Sequence, residues 1–250
     1  MVDILPFRGM RYAQNYAQCD VYAPPYDVVS SEQRRSLLDR NPYNIIRLTL
    51  GPKGDSDWYQ RASDTKERWL REGVLTHEPQ PAFYGYRQRF ETSEKGSLVR
   101  TGFICLVPLD PWGQSIHRHE RTKERAKRDR LCLMRAMHAQ MSPVFGLYQD
   151  KEGTAGALLK ETDEPAIQCQ DAEGVQHTLW PIYGETEQAA LQRVLSDKEI
   201  VIADGHHRYE TALAYRREYH ERSGGPGPHD YVMMYLMDLG DPGLHIIATH

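Results

Sequence analysis

One segment of the sequence constrains the fold more than any other: residues 200–215, which read IVIADGHHRYETALAY. Residues 198–203 are rich in β-branched apolar side chains, as in a short buried strand, and residues 206–222 show the apolar spacing of a helix. Asp204 and Gly205 form the turn between them. The first N–H groups of a helix lack partners within the helix, and its dipole is positive at that end. The segment therefore predicts an anion site, suited to phosphate, at this turn.

The polar residues of this turn have side chains that suit a phosphate ligand. Arg208 can hold phosphate oxygens through its forked N–H donors, and His206 and His207 add further donors. Asp204 can hold a divalent cation on a bound phosphate, while Gly205 allows the tight turn. The alternative is structural: Asp204 caps the helix, the glycine only turns the chain, and the two histidines only pack.

A second polar group occurs in residues 115–122, SIHRHERT. A glutamate beside an imidazole can act as a general base that takes a proton from a hydroxyl group. Glu120 is the candidate for this role, and His119 is a weaker candidate for contact with substrate. The alternative is that Glu120 only stabilises the start of the following helix through the helix dipole.

The same segment contains a His-x-His pair that could hold zinc or iron. His117 and His119 would need a third ligand, which His206 or His207 could supply. Arg118 and Arg121 lie beside the pair and would repel a cation. We therefore predict that no transition metal is bound here and that the two imidazoles diverge.

Periodicity and turn residues predict an α+β protein with mixed sheets and flanking helices. Ser30 or Ser31 is a suitable N-cap for the first of these helices. The predicted helices cover 31–40, 58–71, 120–141, 184–197 and 206–222. The predicted strands cover 45–50, 81–91, 97–109, 198–203, 231–239 and 244–250, with two or three further short strands in 143–179.

The chain divides into two predicted regions, an N-terminal α/β region over 1–110 and a second region over 111–250. The sequence stops on the strand 244–250, and a sheet strand is an unusual place for a natural end. We therefore expect a C-terminal truncation. We also expect this strand to lie in the sheet near the 204–208 turn, with Thr249 and His250 as weak candidates for contact with substrate.

Composition excludes several classes of protein. Hydrophobic residues make up 40% and charged residues 26% of the 250 residues, which is typical of a globular protein. The net charge of -4 gives no overall footprint for nucleic acid. No apolar stretch approaches the roughly 20 residues of a membrane span, and no signal peptide is evident, so we expect a cytoplasmic protein. Four cysteines without paired spacing are expected to be free thiols: Cys19, Cys105, Cys132 and Cys169.

Five blocks of the sequence resemble, in order, the motifs of a bacterial and archaeal family, domain-of-unknown-function family 1015. The resemblance covers nearly all of the chain. The blocks are LPFRGMRY, APPYDVVS, NPYNIIRL, RHERTKERAKRDRL followed by SPVFGLY, and IADGHHRYETALAY.

The Asp-Gly-His-His-Arg turn also resembles that of the free serine kinases of the ParB and sulfiredoxin superfamily. This resemblance implies a ParB/sulfiredoxin-like nucleotide-binding element in the C-terminal half, with Mg²⁺ and ATP or ADP as ligands. The long separation of Glu120 from Asp204 requires an inserted element relative to that compact core. The implied roles are catalytic for Glu120 and Asp204, the latter also through Mg²⁺, and nucleotide-binding for Gly205, His206, His207 and Arg208.

These observations predict a nucleotide-dependent phosphotransferase, a kinase that acts on a small hydroxyl substrate, with free L-serine favoured. Its partners would be that substrate and a nucleotide, with no membrane or nucleic acid. Two alternatives stay open. One is a nucleotide-gated binding protein without turnover, and the other is a metal-dependent hydrolase that uses His117 and His119.

Overall fold

A computed structural model describes residues 2–120, 124–162 and 165–244. Its helices and mixed sheet form an α+β protein, as predicted. None of the helices in the described ranges is long and apolar enough to cross a membrane. The α-helices are α1 (Ser31–Arg40), α2 (Ile46–Thr49), α3 (Trp58–Arg71), α4 (Glu124–Met137), α5 (Thr154–Leu158), α6 (Glu185–Leu195) and α7 (His206–Ser223), and short 3-10 turns occupy Gln14–Tyr16, Cys19–Val21 and Pro228–Asp230.

The strands form a two-stranded antiparallel sheet and a mixed eight-stranded sheet. The strands are β1 (Met10–Tyr12), β2 (Leu75–His77), β3 (Phe83–Thr92), β4 (Gly96–Pro108), β5 (Ile116–His117), β6 (Val144–Tyr148), β7 (Ile167–Gln170), β8 (Gln176–Ile182), β9 (Ile200–Asp204) and β10 (Tyr231–Asp238). The large sheet has the order β5-β9-β6-β10-β4-β3-β8-β7. Pairing is parallel for β5 with β9 and for β6 with β10. Strands from both predicted regions, 1–110 and 111–250, pair within it.

The main core lies against the large sheet and follows the two-residue period of its strands. On β4, Phe103, Cys105 and Val107 are fully buried and alternate with partly exposed residues. On the neighbouring β10, Met234 and Leu236 belong to the same buried cluster. Alternate side chains of a strand point to one face, so this pattern fixes which face the helices cover.

A second core joins the N-terminal helices to α4. Trp69 of α3, Leu48 of α2 and Met137 of α4 are buried in one cluster. The buried Lys66 extends from α3 and donates a hydrogen bond of 2.7 Å to the carbonyl oxygen of Met137, at the end of α4. This bond satisfies a carbonyl that would otherwise lack a helical partner.

Several predicted elements are confirmed. Helix α1 begins at the predicted N-cap: Ser30 accepts a hydrogen bond from the Gln33 amide, and the Gln33 side chain accepts one from Ser30, which completes a capping box. Helix α3 has the predicted bounds. The β3–β4 hairpin pairs antiparallel as predicted, and the helix expected over 206–222 is α7.

The strand predicted over 45–50 is wrong, because this segment forms the short helix α2. The Asn44 side chain accepts a hydrogen bond of 3.0 Å from the amide of Ile46 and so starts the helix. The same side chain donates to the carbonyl of Tyr22 at 3.0 Å. The bond to Tyr22 joins segments distant in sequence, and the two contacts together override the β preference of the two isoleucines.

The helix predicted over 120–141 is shorter at its C-terminal end. Helix α4 stops at Met137, and His138 takes a left-handed conformation with a φ of 48°. The apolar spacing that continues to Met141 instead reflects packing of this segment on the second core. The predicted strand 244–250 lies, apart from Leu244, outside the described residues, as do Thr249 and His250.

The expectation of free thiols is wrong for two of the cysteines. Cys19 and Cys169 form a disulfide, with Cα atoms 5.5 Å apart, whereas Cys105 and Cys132 are free. The bond joins the 3-10 turn at 19–21 to the edge strand β7. Sequence spacing could not reveal it, because 150 residues separate the partners and only the fold brings them together.

A disulfide that closes so long a loop restricts the unfolded chain, and this typically stabilises a protein by about 2–4 kcal/mol. We expect Cys169→Ser to lower the free energy of unfolding by this amount without reductant, measured by urea denaturation. Cys132→Ser, the matched control, removes a free thiol and should change little. Equal effects of the two variants would contradict a stabilising disulfide.

Candidate functional site

The predicted turn is present where β9 meets α7. Ile200 and Ile202 of β9 are fully buried. The chain then turns at Gly205, whose φ of 94° lies in the left-handed region that glycine adopts most readily. Gly205 occupies the N-cap position of α7, and no side chain caps the helix there. The first turn of α7 therefore keeps the character of an anion site.

Arg208 lies directly over the turn. A Cβ atom placed on Gly205 would come within 2.9 Å of the Arg208 Cζ atom. The absence of a side chain at this position thus makes room for the guanidinium as well as for the backbone conformation. The structure brings a permanent positive charge to the start of α7, as the sequence predicted.

The donors of Arg208 contact protein acceptors. One Nη atom donates to the Oδ2 atom of Asp204, and the other donates to the carbonyl oxygen of Pro143. Asp204 therefore pairs with Arg208 and does not cap α7, so the helix-cap interpretation of this residue is wrong. Its side chain is 59% exposed, which leaves the carboxylate accessible from solvent.

A comparison of two glycines at opposite ends of α7 distinguishes the effect of backbone conformation from the effect of contact with Arg208. Gly205 and Gly224 both have positive φ, but a Cβ on Gly224 would meet nothing within 4 Å. We expect Gly205→Ala to lower the free energy of unfolding by roughly 0.5–1.5 kcal/mol more than Gly224→Ala, because it must also displace the guanidinium from its hydrogen bonds to Asp204 and Pro143. Chemical denaturation measures both. Equal losses would contradict the close packing of Arg208 on the turn.

His206 is the buried member of the site, with only 3% of its surface exposed. Its Nε2 atom accepts a long hydrogen bond of 3.4 Å from the backbone N–H of His119. Its Nδ1 atom lies 3.8 Å from the Oε2 atom of Glu120. The neutral imidazole that fits these contacts carries its proton on Nδ1 and directs it toward the Glu120 carboxylate.

Burial lowers the pKa of His206, and the neighbouring His119 lowers it further, while Glu120 and Asp204 oppose this shift and His207 adds to it. The folded protein thus favours the neutral imidazole. This is the form that can accept the backbone N–H and donate toward the carboxylate at the same time.

The lowered pKa of His206 makes stability depend on pH. The unfolded chain binds this proton more readily, near the ordinary pKa of about 6.5. The stabilising effect is fully present above that pH and is lost as pH falls toward the folded value. We expect His206→Gln to reduce the loss of stability between about pH 7.5 and 5. Urea denaturation at each pH tests this, and an unchanged pH dependence would contradict a neutral, buried His206.

Glu120 reaches the turn because of the parallel pairing of β5 with β9. Ile116 pairs with Ile200, and the amide of Ile200 donates a hydrogen bond of 2.9 Å to the carbonyl of Ser115. Paired parallel strands run in the same direction, so the residues that follow β5 lie beside the turn that follows β9. The Glu120 side chain is 61% exposed and faces solvent from this edge.

The two histidines of the His-x-His pair have different neighbours. The Nε2 atom of His117 lies 3.3 Å from the carboxylate of Glu199. The ring of His119 packs edge-on against His206, with centroids 4.6 Å apart. The one group of potential metal ligands that the described residues contain is elsewhere, near the C-terminal end of α7, and comprises His220, His229 and Asp230.

A pocket beside the turn adds residues from other segments of the chain. It encloses about 460 Å³, counting its open mouth, and Arg208, Tyr26 and Arg130 contribute to its wall. The guanidinium of Arg130 lies 4.0 Å from the centre of the Tyr26 ring and donates a hydrogen bond of 2.7 Å to the Thr49 carbonyl. The available signal was weak: Tyr26 lies in a Pro-rich turn segment, and Arg130 lies in a run of charged residues.

The fold and the site define an α+β protein with a polar strand–turn–helix site at one edge of a mixed sheet. Over residues 4–250 the chain matches the model of a family described as protein of unknown function, DUF1015, and it belongs to that family. No curated protein and no solved structure matches the chain.

Proposed function

We propose that this protein is a phosphotransferase that moves a phosphoryl group from ATP or ADP to a small hydroxyl substrate, with free L-serine favoured. The observation that carries the proposal is the meeting of Glu120 with the turn. An exposed carboxylate lies 3.8 Å from a buried imidazole at a helix N-terminus that no side chain caps. A candidate base and a candidate phosphate site are therefore adjacent.

Phosphoryl transfer depends mainly on positioning and on charge stabilisation. In the proposed complex the N–H groups at the start of α7 bind the terminal phosphate, and Arg208 turns part of its fork from Asp204 to the phosphate oxygens. These contacts strengthen as charge shifts during transfer. The pocket beside the turn adjoins these groups, since Arg208 forms part of its wall.

Glu120 acts as the base in this proposal. The substrate hydroxyl oxygen bonds to the terminal phosphorus of the nucleotide, and the bond from that phosphorus to the bridging oxygen breaks. The hydroxyl proton passes to the Glu120 carboxylate, and the nucleotide leaves with one phosphate fewer. His206 orients the carboxylate through its Nδ1 proton.

An exposed carboxylate next to bound phosphate fits a magnesium ion, which is commonly held by one or two carboxylates and the phosphates of the substrate. Asp204 is the residue that would hold it, since only one of its oxygens contacts Arg208 in the structure. When bound, Mg²⁺ supplies positive charge that neutralises the phosphate oxygens.

The ParB/sulfiredoxin-like character of residues 111–250 forms part of the same proposal.

A nucleotide-gated binding protein is the second candidate, and the contacts of Arg208 favour it. The guanidinium bonds to Asp204 of the turn and to the Pro143 carbonyl just before β6. A nucleotide that drew Arg208 away would loosen this connection without any chemistry. Measurement of phosphorylated product in the presence of bound nucleotide separates the two candidates.

We propose that the protein acts in the cytoplasm, where nucleotides and free amino acids are available. Cytoplasmic thiols are generally kept reduced, so Cys19 and Cys169 would be held there as a pair of adjacent thiols. Cell fractionation followed by detection with an antibody raised against this protein tests this location.

We expect Glu120→Gln to reduce turnover by about 10²–10⁴-fold, the usual effect of losing a general base, with nearly unchanged nucleotide affinity. Arg208→Ala should lower turnover more than it lowers stability. Product formation from L-serine with Mg²⁺ and ATP or ADP measures turnover. Thermal shift measures nucleotide binding, because a ligand at 100 times its dissociation constant stabilises by about 2.7 kcal/mol.

Glu94→Gln, in the exposed β3–β4 turn, is the matched control and should leave both measurements unchanged. Nucleotide binding without product in the native protein would contradict the kinase and favour the binding protein. Failure of nucleotides to bind would contradict both candidates.

A further inference from the structure

A second pocket, between α1, α2 and α3, is lined by positive charge. We name it the arginine pocket. It encloses about 650 Å³, counting its open mouth, and no acidic residue is among those that line it in the described chain. Its charged residues are Arg34, Arg47, Arg61 and Arg68.

Two of the arginines are fixed by reciprocal bonds between α1 and α2. The Nε atom of Arg34, on α1, donates a hydrogen bond of 2.8 Å to the carbonyl of Leu50, at the end of α2. The Nη2 atom of Arg47, on α2, donates one of 2.8 Å to the carbonyl of Leu38, in the last turn of α1. The two guanidinium groups are thereby positioned before any ligand arrives, which lowers the entropic cost of binding.

These bonds alone leave both arginines with unused hydrogen-bonding capacity, since a guanidinium has five N–H donors. The Nε atom of Arg47 is enclosed and has no hydrogen-bond partner among the described residues. Burial lowers the pKa of Arg34, and the charge of Arg47 lowers it further. An enclosed charged donor without an acceptor is costly, and an anion would remove both the missing bond and the repulsion.

The other two arginines lie at the exposed rim of the pocket. Arg61 pairs with Asp55, and Arg68 lies 4.0 Å from Glu72. Their side chains are 58% and 55% exposed, so these surface pairs hold them weakly and can be exchanged for a ligand. The pocket thus has two fixed arginines inside and two movable ones at its mouth.

Capping of the helix C-termini explains one bond of each inner arginine, but it does not require four arginines around one cavity. Arg61 and Arg68 make no such capping bond in the described structure; Arg61 pairs with Asp55 and Arg68 with Glu72. Two like charges at the inner end also work against a purely structural role. Together they form a concentration of positive charge on a chain with a net charge of -4.

We propose that the arginine pocket binds a small molecule bearing a phosphate or pyrophosphate group. Planar guanidinium forks match the oxygens of phosphate, and several around one cavity suit a group with oxygens on every side. The proposal does not rest on the phosphotransferase proposal, because it concerns other residues. The Thr49 carbonyl binds Arg130 of the pocket beside the turn, and the adjacent Leu50 carbonyl binds Arg34, so α2 separates the two sites.

Titration calorimetry with inorganic pyrophosphate on the full chain tests this inference. We expect Arg34→Met and Arg47→Met each to weaken the binding assigned to this pocket at least tenfold. Arg35→Met is the matched control: it removes the same charge from the neighbouring position of α1, outside the pocket, and should change affinity less than twofold. Equal weakening by all three variants would indicate a general charge effect and overturn the proposal.

Three further tests locate the binding and keep the proposal testable if the inner variants misfold. The rim variants Arg61→Met and Arg68→Met alter exposed side chains and should each weaken binding at least threefold. Amide hydrogen exchange should slow in 31–50 and 58–71 when pyrophosphate is added to the native protein. The same slowing should occur in the Glu120→Gln and Arg208→Ala variants, which alter the other site. Slowing confined to 200–215 overturns the proposal and leaves the turn as the sole site. Equal affinity for succinate overturns the choice of phosphate over carboxylate.

Discussion

The parallel pairing of β5 with β9 is the contact on which the candidate site depends. It joins segments far apart in sequence and brings both to one edge of the sheet, so that Glu120 and the turn at Gly205 become neighbours. The pairing is short, and one hydrogen bond, from the amide of Ile200 to the Ser115 carbonyl, continues it beyond the paired residues. Without it, the candidate base and the proposed phosphate site would lie on separate loops.

Charge in this region is balanced within the protein. Arg208 is neutralised by Asp204 and sits over Gly205, while the buried His206 stays neutral because burial and His119 lower its pKa. In the arginine pocket the balance is incomplete, since the enclosed Nε atom of Arg47 has no partner among the described residues. In our proposals, Arg208 therefore exchanges a protein partner for the ligand, whereas Arg47 gains a partner that it lacks.

The sequence predicted the features that depend on neighbours in the chain. Gly205 in a strand–turn–helix segment and the Ser30 capping box are local signals, and both are present. It failed where distant contacts decide. Asn44 joins the start of a helix in a β-branched segment to Tyr22, which is distant in sequence, and Cys19 meets Cys169 only because the fold brings them together. The pairing of Asp204 with Arg208 is different, because the two residues lie only four positions apart and the helix-cap interpretation of Asp204 overlooked this local pair.

A crystal structure with Mg²⁺ and a non-hydrolysable ATP analogue tests the central claim most directly. The account predicts the terminal phosphate at the N–H groups that begin α7, with Arg208 on its oxygens, Asp204 at the metal and the Glu120 carboxylate facing the phosphorus from the acceptor side. Phosphates bound in the arginine pocket alone, with the Asp204–Arg208 pair unchanged, would contradict it.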